Sequence, residues 1–413
     1  MATVRPFKGL RPLSHYAAQV ASKPYDVLTS DEAREEAAGN PLSFLHVGKP
    51  EIDLPPGINP YDVQVYHRGN ANLRRLIADG ILRQDQSPCL YVYSQAMGSH
   101  SQHGVVGCVP VREYLDGTIR KHELTRPDKE DDRARHIDAT NAHTGPIFLA
   151  YRAQRAIDTQ VEQLCLTSPE YDFHAGDGVR HRLRVIKDVP TIQVLTDLFK
   201  GVQNLYIADG HHRAAAAARV AQQRTAKNNH LTGMEEYNFI LAVLFPHTQL
   251  QIMGYNRLVR DLNGKDPDGF LEEVKKVFEV NTSATQVRPS KKGEFGMYVH
   301  GQWYTLTAPD HLLKSTDPIG RLDVSILQTH LLSPLLGIQD PRTDTRIDFV
   351  GGIRGLGELE RRVRSGEMAV AFSLHPTSID ELFVAADAGQ TMPPKSTWFE
   401  PKLRDGVVVH LLD

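Results

Sequence analysis

The chain has 413 residues, and its 47 Lys and Arg residues against 50 Asp and Glu residues give a formal net charge of −3. This balance excludes a protein that binds nucleic acid over its whole surface, because such a surface needs an excess of cations to neutralise phosphates. Hydrophobic residues make up 40% and charged residues 23%, which is typical of a globular protein. The length predicts about two to three domains.

The sequence also argues against a membrane or secreted protein. No run approaches the roughly 18 consecutive apolar residues of a membrane span, and the N-terminus lacks the apolar segment of a secretory signal. The cysteines Cys89, Cys108 and Cys165 are widely spaced and form no Cys-x-x-Cys pair, which is typical of reduced thiols. We therefore expect a cytoplasmic protein that does not span a membrane.

Apolar periodicity and the placement of Gly and Pro predict helices and strands along the first 240 residues. Thr29 or Ser30 can cap a first short helix. The predicted strands are 43–47, 89–97 with its hairpin partner 105–109, 146–151, 180–188 and 204–208. The predicted helices are 71–84, 129–142, 190–200 and the alanine-rich segment 213–225.

The pattern of elements starts again after about residue 235. Strands are predicted at 238–245, 303–307, 368–374 and 407–411, and helices at 268–278, 321–331 and 378–388. Because alternating helices and strands coexist with a hairpin, the expected fold class is α/β of the mixed α+β kind. We expect one domain over 1–240 and a second α/β domain over 241–413, whose role the sequence leaves open.

The most informative motif is Tyr206-Ile-Ala-Asp-Gly-His-His-Arg213. A buried strand is predicted to end at Ala208, and a helix to begin near His212 or Arg213 after an Asp-Gly turn. The first N–H groups of a helix and its dipole favour an anion, and Gly210 allows close approach of the backbone. His211, His212 and Arg213 add donors at the same point. The motif therefore predicts a phosphate site.

Two other interpretations of this motif remain open. Asp209 can cap the helix while the histidines are solvated, or His211 and His212 can bind zinc. Adjacent histidines rarely reach one ion, and no cysteine or His-x-x-x-His partner lies nearby, which argues against zinc. Within a phosphate site, Asp209 can orient a histidine, hold Mg²⁺ or accept a proton from a substrate hydroxyl.

Three further segments carry weaker signals. Glu123 follows Lys121 and His122, and a carboxylate beside cations can act as a base or bind an amine, although such tripeptides are usually solvated. Lys395, Ser396 and Thr397 precede Trp398 and can contact a phosphate or a substrate, or simply close the fold. The glycines of 351–357 fit neither a P-loop nor a dinucleotide fingerprint, so a turn-rich connection is expected there.

Six segments resemble the bacterial and archaeal family known as domain of unknown function 1015. They are RPFKGLRP at 5–12, YDVLTSDEAR at 25–34, NPLSFLHV at 40–47, KHELTRPDKEDDR at 121–133, IADGHHRAAAA at 207–217 and MPPKSTWFEPKLRDG at 392–406. The family in turn resembles the ParB/sulfiredoxin-like superfamily, which includes free-serine kinases. Those kinases carry an Asp-Gly-His-His-Arg motif that binds nucleotide phosphates, and a catalytic Glu after a His.

The resemblance implies a ParB/sulfiredoxin-like catalytic domain over 1–240 in which Gly210, His211, His212 and Arg213 bind nucleotide phosphates. It implies a phosphotransferase that uses ATP or ADP with Mg²⁺, to which Asp209 contributes. Glu123 is the expected base, and free L-serine the leading acceptor. His122, Lys395, Ser396 and Thr397 are expected substrate or phosphate contacts.

The alternatives are a nucleotide-binding regulatory or scaffold protein without kinase activity, and a metal-dependent hydrolase. The expected partners are a nucleotide and a small-molecule substrate, not nucleic acid or a membrane. A homodimer is one open alternative for the oligomeric state.

Overall fold

The structure is a computed structural model that describes residues 1–413. It contains several β-sheets together with helices, which confirms the predicted mixed α/β class. The chain forms two compact units. The first comprises Met1–Lys121, Thr125–Leu250 and Pro401–Asp413, and the second comprises His122–Leu124 and Gln251–Glu400. None of the helices combines the length and the apolar character that a membrane crossing requires.

The first unit contains eleven strands before residue 250 and nine α-helices. The strands are β1 (Leu10–Pro12), β2 (Leu82–Gln84), β3 (Leu90–Met97), β4 (His100–Pro110), β5 (Ile119–Arg120), β6 (Ala142–His143), β7 (Ile147–Tyr151), β8 (Tyr171–His174), β9 (Arg180–Ile186), β10 (Leu205–Asp209) and β11 (Phe239–Pro246). The helices are α1 (Ala17–Val20), α2 (Ser30–Ala37), α3 (Leu45–Gly48), α4 (Val63–Ala78), α5 (Val111–Leu115), α6 (Pro127–Thr140), α7 (Arg155–Cys165), α8 (Val189–Lys200) and α9 (His211–Lys227).

An eight-stranded mixed sheet forms the centre of the first unit, in the order β5-β10-β7-β11-β4-β3-β9-β8. β11 is buried along its whole length, as expected for a continuous apolar run in the middle of a sheet. It pairs parallel with β7 and antiparallel with β4. β10 lies on the other side of β7, between β7 and the short β5. The strand that precedes the Asp-Gly turn is therefore held on both edges.

Helix α9 follows β10 directly and packs against α6. Alanine has the highest helix propensity, and its small side chain lets a helix approach its neighbours closely. The run Ala214–Ala218 is buried in the main hydrophobic core. Ion pairs tie the two helices together further along, from Arg219 to Asp131 at 3.0 Å and from Arg224 to Asp138 at 3.0 Å. These contacts fix the position at which α9 begins.

The strands of the second unit are β12 (Gln251–Met253), β13 (Tyr255–Val259), β14 (Glu279–Ser283), β15 (Glu294–Val299), β16 (Gln302–Thr307), β17 (Ile347–Gly351), β18 (Val370–Leu374) and β19 (Trp398–Glu400). They form a six-stranded antiparallel sheet, in the order β14-β16-β15-β18-β13-β17, and a two-stranded pair β12-β19. Its α-helices are α10 (Pro267–Lys275), α11 (Asp310–Leu313), α12 (Asp323–Leu327), α13 (Ser333–Leu336), α14 (Gly355–Arg364) and α15 (Ile379–Asp387).

After residue 400 the chain returns to the first unit. Its last strand, β20 (His410–Leu411), pairs antiparallel with β6, and Val409 makes an isolated bridge to Leu10. The units thus differ from the expected division into 1–240 and 241–413 in three ways. His122–Leu124 belong to the second unit. β11 belongs to the first sheet, because it pairs with β4 and β7, and the C-terminal thirteen residues, Pro401–Asp413, also belong to the first unit.

Some predicted elements are wrong in type or extent. The expected strand at 43–47 is instead the short helix α3, because a segment of five residues, three of them apolar, is too short for periodicity to separate a buried strand from a buried helical turn. The expected helix at 321–331 is present but begins at Asp323 and continues to Leu336, with a π-helical turn at Gln328–Leu332 between α12 and α13. The expected turn-rich connection around 351–357 contains the end of β17 and the start of α14.

Candidate functional site

The candidate site lies where β10 ends and α9 begins. The pairing of β10 with β7 shifts its register between Ile207 and Asp209, so the strand bulges just before it ends. Gly210 then has φ 94°, a left-handed conformation that glycine adopts without a steric penalty. The helix begins at His211, with Gly210 as its N-cap and no side chain capping it. The interpretation of Asp209 as a capping residue is therefore wrong, because its side chain accepts no hydrogen bond from the first turn.

The first turn of α9 has an unusual charge pattern. It carries His211, His212 and Arg213 and no acidic residue. The dipole makes this end of a helix positive, so that acidic side chains or anions stabilise it and cations do not. A 17-residue helix that presents only basic side chains at its uncapped start is suited to hold an anion there.

Asp209 is the counter-ion at this turn. Its Oδ1 accepts a hydrogen bond from the Gly210 N–H at 2.9 Å, and its Oδ2 lies 3.3 Å from Lys402 Nζ and 3.6 Å from Arg213 Nη2. Burial raises the pKa of Asp209, but the positive charges of Lys402 and Arg213 outweigh burial and hold this pKa well below its ordinary value. The carboxylate is therefore ionised at any physiological pH.

The guanidinium of Arg213 lies inside the first unit. The residue is 8% exposed, and Nη1 donates a hydrogen bond to the carbonyl of Pro146. Burial lowers the pKa of Arg213, but the carboxylates of Asp26, Asp209 and Asp405 more than compensate and raise it above its ordinary value. These contacts hold the turn in place. A direct contact between Arg213 and a phosphate stays a prediction.

His212 is oriented by the start of α6. Its Nε2 accepts a hydrogen bond from the backbone N–H of Arg126 at 3.0 Å, so a neutral imidazole carries its proton on Nδ1. Arg126 is the N-cap residue of α6 and follows Glu123 by three positions. His211, the other histidine of the motif, is 7% exposed.

The remaining predicted site residues belong to the second unit. There His122 accepts a hydrogen bond at its backbone carbonyl from the Met392 N–H at 2.8 Å, and its Nε2 lies 3.4 Å from Thr397 Oγ1. The structure thus brings two of the predicted contacts, His122 and Thr397, together. Glu123 lies beside His122 in the sequence and is partly exposed.

Lys395 and Ser396 complete this group. Ser396 Oγ donates to the Pro393 carbonyl at 2.6 Å, which is typical of a turn. Lys395 has a positive φ of 57° and places its ammonium 5.7 Å from the centre of the Tyr255 ring. The hydroxyl of Ser396 is thus used to shape the segment, and a contact of Lys395, Ser396 or Thr397 with substrate stays a prediction.

Sequence reasoning missed two residues of the C-terminal segment. Lys402 contacts Asp209, as described above. Asp405 is 4% exposed, its Oδ1 has no hydrogen-bond partner in the protein, and an added Cβ on Gly145 would lie only 2.3 Å from that atom. Burial raises the pKa of Asp405 to about 7, against the opposing effect of the Arg213 guanidinium. Their only signal in the sequence was their place in the family segment 392–406.

Asp405 and Arg213 line one small cavity beneath the motif. Its volume is about 30 Å³, which is room for one or two water molecules. Tyr25, Arg133 and His143 lie in the same wall. Charged and apolar side chains therefore share the wall of this small cavity, with Ile137 and Ile147 among the apolar ones.

Comparison with known proteins gives one clear family match and several distant structural ones. A search of curated proteins found no match. Among solved structures, a free serine kinase in complex with AMP is 14% identical with a TM-score of 0.35, over 72% of this chain and 86% of the kinase. A variant of the free serine kinase in complex with ADP is 13% identical with a TM-score of 0.35, over 72% and 87%. A conserved hypothetical protein from Pyrococcus furiosus is 14% identical with a TM-score of 0.35, over 73% and 93%.

Likenesses at this distance assign no function. The family match is of another kind, because it covers residues 4–325 and so most of the chain, including the motif 206–213 and the segment around Glu123. The protein belongs to the family described as protein of unknown function, DUF1015.

Proposed function

We propose that the protein transfers a phosphoryl group from ATP or ADP to the hydroxyl of a small metabolite, with free L-serine as the leading acceptor. The observation that carries the proposal is the uncapped start of α9 directly after β10, with three basic residues in its first turn. Phosphoryl transfer needs mainly positioning and neutralisation of charge, and a helix N-terminus supplies both. A ParB/sulfiredoxin-like core for the first unit is part of this proposal.

The motif residues would divide the work of holding the nucleotide. Gly210 lets the backbone approach the phosphates, and the first N–H groups of α9 donate to them. His211 and His212 add side-chain donors, and the tautomer of His212 is set by its bond to Arg126. Arg213 holds Asp209 and the turn, and supplies positive charge close to the phosphates.

Glu123 would accept the proton of the substrate hydroxyl. Its support is the anchoring of Arg126, three residues further on, by His212 of the motif. His122, Lys395, Ser396 and Thr397 are proposed to contact the substrate or a phosphate, and the contact between His122 and Thr397 supports treating them as one group.

The fit of Mg²⁺ to Asp209 is poor in this structure. Mg²⁺ is usually bound by one or two carboxylates together with substrate phosphates. Both oxygens of Asp209 already have partners, and two cations lie within 3.6 Å of Oδ2, where they would repel a divalent ion. We therefore derive no step through a metal on Asp209, and expect Mg²⁺ to arrive bound to the nucleotide.

The test is to incubate the protein with ATP or ADP, Mg²⁺ and L-serine, and to follow phosphoserine by mass spectrometry. We expect a product that gains one phosphate, and a rate about 10²–10⁴ lower in Glu123→Gln, because a positioned base contributes this much. Glu35→Gln, at an exposed glutamate of α2, is the control and should keep the wild-type rate.

The alternatives give different results in the same experiment. Nucleotide binding without a phosphorylated product from a pool of amino acids and hydroxy metabolites, unchanged in Glu123→Gln, would indicate a regulatory or scaffold protein. Stoichiometric zinc in the purified protein that is lost in His211→Ala would indicate a metal-dependent hydrolase.

A further inference from the structure

We propose that Lys402 is a phosphate-binding residue of the nucleotide site, delivered to it by the C-terminal segment. The inference rests on the function proposed above and names a residue that the motif does not contain. Lys402 Nζ lies 3.3 Å from Asp209 Oδ2, and its side chain is 11% exposed. The ammonium group is therefore mostly withdrawn from bulk water and stands beside the turn that precedes α9.

The backbone of Lys402 is held by the centre of the main sheet. Its carbonyl accepts a hydrogen bond from Gln95 Nε2 at 2.8 Å, and Gln95 Oε1 accepts one from Gln102 Nε2 at 2.9 Å. Gln95 on β3 is 1% exposed and Gln102 on β4 is 0% exposed. The buried amides of Gln95 and Gln102 thus form a chain of hydrogen bonds that fixes the Lys402 carbonyl. Burying such amides costs free energy unless their hydrogen bonds are made.

A second set of contacts holds the residues after Lys402. Arg404 forms an ion pair with Asp177, and the backbone of Asp405 exchanges hydrogen bonds with Ser22 at 2.9 and 3.1 Å. The backbone is therefore held at the carbonyl of Lys402 and again two to three residues after it. With the backbone held, the position of the ammonium group depends only on the torsion angles of the Lys402 side chain.

A purely structural role explains this arrangement poorly. Asp209 already has a cationic neighbour in Arg213, four residues further on in α9, at 3.6 Å. Arg213 in turn has the carboxylates of Asp26 and Asp405 to balance it, so Lys402 adds a positive charge beside the turn, where the positive end of the α9 dipole favours an anion. Lysine is a compact charge with three rotatable donors, so it can turn from a carboxylate to a phosphate without a change in the backbone.

The direct test is the affinity for ADP, measured by titration calorimetry on the full chain. We expect Lys402→Met to weaken ADP binding about 10- to 100-fold, the range of a lost charge-assisted hydrogen bond. Lys402→Gln keeps a donor for Asp209 and should lose nearly as much, whereas Lys402→Arg should stay close to the wild type. Lys227→Met, at the other end of α9, is the matched control and should not change the affinity.

Kinetics separate binding from mere support of the fold. We expect the KM for the nucleotide to rise in Lys402→Gln while the KM for the acceptor and the unfolding midpoint without ligand stay unchanged. In the unmodified protein, ADP should protect Lys402 from acylation, read by mass spectrometry, whereas adenosine should not.

The outcomes distinguish this inference from the function on which it rests. Wild-type protein that binds no nucleotide would overturn both. If the wild-type protein binds ADP and the folded Lys402→Gln variant binds it with an affinity within twofold of the wild type, only the inference is overturned. Lys402 is then a counter-ion of Asp209. Equal acylation of Lys402 with and without ADP would overturn it even if every variant failed to fold.

Discussion

At the residue scale, the site depends on the charge balance around one carboxylate. The sequence left three roles open for Asp209, namely orienting a histidine, holding Mg²⁺ and accepting a proton. In the structure it neutralises Lys402 and Arg213. Lys402 is 193 residues away from Asp209, and no local pattern could have shown that the two meet. A carboxylate held ionised by two cations is a weak base, which leaves the role of base to another residue.

Asp405 offers a test of the buried charges beneath the motif. Its pKa of about 7 exceeds its ordinary value of 3.8, so between about pH 4 and 7 the folded protein holds a proton that the unfolded chain has released. Folding stability contributed by this group is present below pH 4 and is lost as the pH rises through 7. Asn resembles the protonated form and does not titrate.

We therefore expect the stability of Asp405→Asn relative to the wild type to increase between pH 4 and 7, by about 4 kcal/mol at most, and to level off above pH 8. Urea unfolding at a series of pH values measures the difference. A difference that does not change with pH would mean that the pKa of Asp405 is the same in the folded and the unfolded protein.

At the scale of elements, the strand–turn–helix was predictable because its signals are local. The apolar strand, the Asp-Gly turn and the alanine run lie within about twenty residues, and the observed elements β10 and α9 agree with the expected ones to within two residues. What the sequence did not fix was the conformation of the turn. Gly210, not Asp209, is the N-cap, and this leaves the start of the helix open for an anion.

Replacing Gly210 tests whether this turn shapes the site. Gly210→Ala places a Cβ at φ 94° and 3.1 Å from Arg213 Nε, so we expect a loss of about 1–2 kcal/mol in unfolding free energy together with weaker ADP binding. Gly178→Ala is the control, since Gly178 also has a positive φ of 80° but open space around it. It should lose stability and keep its ADP affinity. ADP binding that is unchanged in Gly210→Ala would show that the turn does not form the site.

At the scale of the whole molecule, the fold class followed from the sequence and the topology did not. Alternating periodicities predicted most helices and strands, because each depends on residues close together in the chain. The order of the eight central strands depends on pairings between distant segments, such as β11 with β7. Residues 401–413, which include Lys402 and Asp405, also belong to the first unit through contacts with segments that are distant in the sequence. Sequence reasoning therefore found the motif but not its buried partners.

The proposed site requires an anion at the start of α9, and a crystal structure of the protein grown with ADP would show whether one binds there. The expected result is a phosphate group within hydrogen-bond distance of the first backbone N–H groups of α9, next to His211 and His212. ADP bound elsewhere in the molecule, with no contact to the start of α9, would show that this turn is not the nucleotide site.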